Sequence, residues 1–555
     1  MDNKARPSTS KIKPIISTSS AEKKRRQSDD YESEGSEEYS HEGVYSHGSH
    51  EEELSSSSEG SSASDLSIFE TRSKSKTTSH RPRAGDIPAQ TSRSQASKRG
   101  LSESGGSPII QPKRLKAMVS DGRKGAEIPG THDTTTWSSN PISMKTIDFT
   151  KEQELLVPPP SDPYDAFRLL IDDDLLDLIV RETNAKAVRV GVADNVKRNS
   201  RINNWKDLTR EELKTFLGLL LHTGTIRLNR ISDYWKRHYL FNIPCFGQFM
   251  SRNRFLLILR CLHFTSESSE EDRLVKIRPI MDHFNNKLIN IYCPGKQLSL
   301  DESMVLWRGR LLFRQYIKNK RHKYGIKLYV LAEPDGTVLK SQVFAGANDE
   351  TPGKGHGSKI VLKLLEDRLD CGHHVYMDNY YNSYGLAVKL LDRKTYCTGM
   401  LSKNRRDNPV EIGTISLEKG ENKSFFLNGV HIGKWRDKRY VVYISTEHGD
   451  EMVETTSKRG SVVLKPSAIV HYNNFMSGID LQDRMLAYYP VQRKTLRWYK
   501  KLFVHMLQMS LSNALYLYNK FSANDKMNLY DFRLKILERL FFFMTNRQAF
   551  DRYLT

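Results

Sequence analysis

The chain has 555 residues, a formal net charge of +20 and five scattered cysteines. That length exceeds one ordinary domain, and the charge points to a polyanionic partner. No apolar run is long enough to cross a membrane or follows the first Met as a signal peptide would, and no C-x-x-C pair offers a zinc framework.

Residues 1–150 are rich in Ser, Glu, Lys, Arg and Gly. Their block "SDDYESEGSEEYSHEGVYSHGSHEEELSSSSEGSS" has almost nothing to bury, so this tail is expected to be disordered. Basic clusters at Lys23-Lys24-Arg25-Arg26, Lys98-Arg99 and Lys113-Arg114-Leu115-Lys116 read as nuclear-localisation signals, and the expected home is the nucleus. Residues 151–294 read as an all-helical domain. "DPYDAFRLLIDDDLLDLIVRETN" has apolar residues at helical spacing around an acidic run, "LTREELKTFLGLLLHTG" opens on a capping box at Thr209 and Glu212, and "FMSRNRFLLILRCLHF" is a further helix.

Strands are expected from about residue 295. "KQLSLDES" alternates, and "KYGIKLYVLAEPDGTVLKSQVFAG" is two strands around Pro334-Asp335-Gly336. "SKIVLKLLEDRL" (helix), "HHVYMDN" (strand) and "SYGLAVKLLDRK" (helix) follow. The order predicts a mixed sheet, an antiparallel hairpin extended by a parallel strand, with helices packed on it. Residues 405–466 read as a β-rich insertion, and 467–555 as a helical return to the core.

Asp301 closes one apolar strand and Asp378 another. Were these strands neighbours, both carboxylates would emerge at one sheet edge, where hard divalent cations prefer oxygen ligands. In "HYNNFMSGIDLQDRM", Asp480 and Asp483 lie one helical turn apart and could complete such a site. Each acid alone is better explained as a turn or helix-start residue, and Ser477-Gly-Ile-Asp480 is itself a capping-box pattern. Basic runs flank both acidic stretches: Arg308, Arg310, Arg314, Lys318, Lys320, Arg321, Lys323 and Lys327 after Asp301, and Arg493, Lys494, Arg497, Lys500 and Lys501 after Asp483. Cations beside a metal site suit a phosphate backbone, so double-stranded DNA is the expected partner. Trp498 lies among them, able to stack on a base or to pack in a core. "CGHH" at 371–374 leads into a strand without a partner pair, and zinc is not expected.

"KIRPIMDHFNNKL", "LSLDESMVLWRGRLLFRQYIKNKRHKYGIKLYVLAE", "VYMDNYYNSYGLAVKLL", "GKWRDKRYVVYIST", "NNFMSGIDLQDRM" and "RKTLRW" together resemble the piggyBac transposase family over about 150–545. The resemblance implies an α/β, ribonuclease H-like core with a catalytic triad at Asp301, Asp378 and Asp480, supported by Asp483 and Trp498. It implies two Mg²⁺ or Mn²⁺ ions, a dimerisation and DNA-binding role for the helical region, and a homodimer acting on transposon ends and a TTAA target through a hairpin intermediate. Family members usually carry a C-terminal cysteine-rich, zinc-binding domain, whereas no cysteine follows Cys397 here. Either the copy is truncated, or ends are recognised elsewhere, or the protein is a domesticated nuclear DNA- or chromatin-binding protein without transposition activity.

Overall fold

A computed structural model describes residues 136–542, except 142–143, 194–195, 270, 319, 321, 347–352, 354, 457–459, 492–494 and 496. The basic clusters before residue 120 lie outside the described residues. Residues 136–150 are not free of the fold, as the expected boundary at 150 would have them. Ser138 bridges Phe426, Thr150 N–H donates to Cys371 O, and the Phe149 ring lies 4.9 Å from that of His373. Trp137 packs against the hydrophobic core, and Phe149 against His373, as large apolar side chains can.

The helical part opens with strand β1 (Glu154–Leu155), α1 (Pro163–Arg168) and α2 (Asp173–Gly191). The acidic run between the two helices is a helix start: Asp172 accepts from Leu175 N–H at 3.0 Å. In α3 (Arg210–Thr225), Thr209 caps as expected, accepting from Glu212 N–H. After α4 (Pro244–Phe249) comes α5 (Arg252–Cys261). Here the Glu212 carboxylate leaves the cap and takes both ends of the Arg254 guanidinium, at 2.7 and 2.6 Å, tying α3 to α5. Helix α6 (Arg278–Ile291) leads into β2 (Tyr292–Cys293), which pairs with β1.

The sheet follows with β3 (Gln297–Leu306), β4 (Gln315–Tyr316), β5 (Tyr324–Ala332) and β6 (Val338–Val343), then α7 (His356–Leu365), β7 (His374–Met377), α8 (Tyr384–Asp392) and β8 (Tyr396–Met400). Strand β5 runs antiparallel to β3 and β6, and β7 runs parallel to β3 and β8. This is the expected mixed pairing. The β5–β6 turn has Gly336 at φ +98°, and Asp335 accepts from Thr337 N–H at 2.9 Å.

After α9 (Glu411–Thr414) come β9 (Asn422–Leu427), β10 (Val430–Arg436) and β11 (Tyr440–Ser445). These three do not form a sheet of their own. β11 pairs with β8, and the order β8-β11-β10-β9 extends the main sheet to nine strands. Of the strands within 405–466, the hairpin β12 (Met452–Thr456) and β13 (Val462–Pro466) stands apart from it among the described residues. Helices α10 (Ser467–Phe475), α11 (Gly478–Tyr488), α12 (Trp498–Phe521) and α13 (Leu529–Phe542) close the described chain. Helix α12 is buried along most of its length and packs against α1, α6, α11, α13 and β3. The helical part and the sheet therefore share one hydrophobic core, in which Phe167 and Phe216 belong with Leu300 and Ile326. None of the described helices is long and apolar enough to cross a membrane.

Candidate active site

Asp301 sits within β3, and Asp378 follows the last residue of β7. In the parallel register Leu300 is opposite Met377, so the two aspartates come next, side by side on neighbouring strands. Successive side chains of β3 alternate faces. Ser299, Asp301 and Ser303 lie on the side covered by α11, and Glu302 lies on the other.

The third carboxylate is brought in by α11. A Cβ on Gly478 would lie 2.2 Å from Glu333 O and 2.6 Å from Ser299 Oγ. Glycine is what lets the helix start this close to the sheet. Ser477 does not cap it with its side chain, contrary to the capping-box pattern. Its backbone is already near-helical (φ −80°, ψ 4°), because α10 runs almost directly into α11, whereas a side-chain cap needs an extended residue. Asp480 then falls in the first turn, and Asp483 one turn later accepts from Ser303 Oγ at 2.6 Å.

Lys320 Nζ donates to Asp301 Oδ2 at 2.7 Å and lies 3.9 Å from Asp480 Oδ1. One ammonium thus touches the carboxylates of both elements. Among the described residues the three carboxylates do not close within 4.8 Å of one another, and Lys320 stands between two of them. Asp480 remains 75% exposed while Asp301 is only 15% exposed, so the site is buried at the sheet and open at the helix. Burial pushes Asp301 above the ordinary carboxylate range, Lys320 opposes the rise, and the neighbouring Glu302 charge adds to it. Asp378 is raised too, again chiefly by burial, against the hydrogen bond it accepts from Tyr380 N–H. The Tyr472 hydroxyl of α10, raised chiefly by burial, also feels the charges of Asp378, Asp301 and Asp480.

Behind β3, Glu302 Oε1 accepts from Lys327 Nζ and from Tyr381 OH, each at 2.9 Å. Burial alone would raise Glu302; Lys327 and these hydrogen bonds outweigh it and hold it low. Glu302 and Tyr381 were not singled out from the sequence, and Lys327 was read only as part of a basic run. The alternation of a strand buried on both faces was the available signal, since it sends the residue after Asp301 to the far side.

The basic runs divide. Arg308, Arg310, Arg314, Lys318 and Lys323 are exposed, and Arg497 is half-buried. Lys320 is not a free surface cation, because Asp301 holds it. Lys327 is buried on Glu302, and Lys500 turns inward to donate to Leu259 O and Arg260 O, at 2.9 and 2.6 Å, at the end of α5. Arg321, Arg493 and Lys494 lie outside the described residues. The two runs meet in space, since Arg308 depresses Lys501, which burial already lowers. Trp498 is partly buried and packs edge-on against Phe313, with centroids 5.2 Å apart, anchoring the loop that carries the first run.

A family model described as Transposase IS4 matches residues 162–515. The human PiggyBac transposable element-derived protein 3 is 25% identical over 392 residues, covering 68% of this chain and 64% of that protein. The chain belongs to the piggyBac transposase family. A second human relative, PiggyBac transposable element-derived protein 2, is 25% identical over 76% of this chain and 72% of its own length. The chain thus spans just under two thirds of the first relative and somewhat more of the second. Among solved structures, the piggyBac fold appears in a cryo-EM structure titled as the piggyBac transposase synaptic complex with hairpin DNA. The match has a TM-score of 0.64 and 24% identity, over 73% of this chain and 87% of that one.

Proposed function

We propose that this chain is a DNA transposase that cuts and rejoins strands at Asp301, Asp378 and Asp480. The observation that carries the reading is the gathering of carboxylates from β3, the end of β7 and α11 around one face of one sheet. The sheet order, with the β6-β5-β3 meander continued by parallel β7 and β8, is compatible with a ribonuclease H-like core.

The donor set fits a hard divalent cation. All three groups are carboxylates, and two are raised by burial in a way that a cation would relieve. Asp301, Asp378 and Asp480 would hold Mg²⁺ or Mn²⁺, with Asp483 beside them. Two such ions, when bound, activate an attacking oxygen and stabilise a leaving one. The chain's own residues prepare the site. Lys320 offsets the repulsion between Asp301 and Asp480 until a cation takes over that task. Glu302, Lys327 and Tyr381 fix β3 from behind, and the Gly478 approach sets the depth of Asp480. Arg308, Arg310, Arg314, Lys318 and Lys323 offer exposed charge to a DNA backbone.

In this reading a homodimer works in the nucleus on transposon ends. Water nicks the end, the freed 3′-OH forms a hairpin, and the opened end joins TTAA. The test is incubation of the purified protein with Mg²⁺ and DNA carrying the element's ends. Nicking followed by a hairpin, both lost in Asp301→Asn, is expected. No nicking, or nicking indifferent to Asp301→Asn, overturns the reading; DNA binding without nicking would favour a domesticated DNA-binding protein.

A further inference from the structure

His374 opens β7, the strand that ends beside Asp378, and its side chain is wholly buried. Glu447 and His448 follow the end of β11. Glu447 Oε2 lies 2.5 Å from His374 Nδ1 and 3.5 Å from His448 Nε2. A ring nitrogen from each histidine and a Glu447 oxygen all fall within 4.8 Å of one another. His471 of α10 packs on His448, with ring centroids 4.1 Å apart. Buried nitrogens on all three histidines, His374 Nε2, His448 Nε2 and His471 Nδ1, have no hydrogen-bond partner. A hydrogen-bonded core of this size rarely leaves so many donors or acceptors unused in one place.

We propose that His374, Glu447 and His448 form a structural zinc site that clamps the loop after β11 onto the start of β7, with His471 beside it. Two imidazoles and a carboxylate are a donor set that zinc takes. Tetrahedral ligands about 2.0 Å from zinc stand about 3.3 Å apart. The Oε2–Nε2 separation of 3.5 Å already suits that spacing, and the 2.5 Å pair has to open by less than an ångström. On binding, zinc replaces the Nδ1 proton of His374, which moves to Nε2 of the same ring.

Zinc takes neutral imidazoles and an ionised carboxylate. Burial lowers His448, His374 and His471. Burial alone would raise Glu447, but hydrogen bonds from His374 and Lys296 outweigh it and hold it at about 2. Lys296 Nζ donates to Oε1 at 2.5 Å, so it orients the carboxylate and leaves Oε2 as the oxygen for the ion. Ser467 Oγ, 3.5 Å from His448 Nδ1, marks the side of that ring turned away from Glu447. The expectation of no zinc rested on local spacing, and "CGHH" finds its partners 73 residues downstream.

This inference does not depend on the reading of the aspartates, and its test disables their site at Asp301. The full chain, free of any histidine tag and carrying Asp301→Asn, is loaded with Zn²⁺, dialysed and analysed for metal. About one zinc per chain is expected, falling to near none in Glu447→Gln and in His448→Ala. Thermal unfolding of each protein with and without Zn²⁺ guards against variants that are merely less stable. Zinc should raise the midpoint of the parent and leave that of Glu447→Gln unmoved. If Glu447→Gln does not fold, His448→Ala carries the comparison. No zinc retained by the parent, or equal retention and an equal midpoint rise in the variants, overturns the proposal.

Discussion

The two ends of β7 set two kinds of carboxylate site against each other. At its far end Asp301 and Asp378 are raised; at its start Glu447 is lowered to about 2. Both Asp301 and Glu447 touch a lysine at hydrogen-bond distance, so a cation nearby does not decide the outcome. The surroundings do. Glu447 is hydrogen-bonded by both His374 and Lys296, which together exceed the cost of burial. Asp301 has Lys320 alone, deeper burial, and the Glu302 charge next to it. One end thus has a carboxylate held ionised by two hydrogen-bond donors. The other is under-neutralised and open through Asp480, as a site that must accept cations and a phosphate backbone should be.

The contrast can be broken in order of expected effect. Asp378→Asn should remove a ligand at the under-neutralised end and lower strand cleavage about a thousand-fold, roughly 4 kcal/mol of transition-state stabilisation. A gel assay of nicked product reads it, and a loss under tenfold would count against the site. Gly478→Ala leaves every carboxylate in place but pushes α11 off Glu333 O and Ser299 Oγ. Misplacing Asp480 in this way should cost about a hundred-fold in cleavage while DNA binding persists. At the other end, Glu447→Gln should destabilise the fold by about 2 kcal/mol in denaturant titration, because Lys296 and His374 lose a charged partner, and the cleavage rate of the folded protein should stay within about twofold of the parent.

The smallest effect concerns pH. His222, His263, His373, His431 and His505 are each lowered by burial from 6.5 to about 4. Between those values the unfolded chain binds protons that the folded chain refuses. Stability is therefore full above 6.5 and falls as pH drops towards 4. His222, packed on Phe246 with centroids 5.3 Å apart, is one such group. His222→Phe should flatten the slope of stability against pH by about one proton across that window; an unchanged slope would mean that this ring titrates normally.

Much of the element order was legible because apolar periodicity and turn residues are local. The hairpin at Asp335-Gly336, the parallel return through "HHVYMDN" and the cap at Thr209 all formed as read. Asp301 and Asp378 could be found as polar ends of apolar strands, whereas Asp480 looked like a helix start until Gly478 showed why the helix begins against the sheet. Charge runs were the weak signal, because composition does not say which way a side chain turns. Lys320, Lys327 and Lys500 were grouped with surface cations, yet each is held inside by a carboxylate or by backbone carbonyls. The histidine cluster was out of reach for a different reason. Its members come from β7, the loop after β11, and α10, and nothing local links them. The strands within 405–466 likewise read as a separate unit, because their pairing with β8 is a long-range contact.

The proposed function turns on Asp301, Asp378 and Asp480 sharing one cation site. It can be tested without DNA by loading Fe²⁺ in place of Mg²⁺ and mapping where the radicals it generates cut the chain. Using Glu447→Gln keeps the histidine end from competing for the iron. Three clusters of cuts are expected, near residues 301, 378 and 480, that compete away together with Mg²⁺ and vanish together in Asp301→Asn. Cuts near only one of the three, or a pattern indifferent to Asp301→Asn, would contradict it.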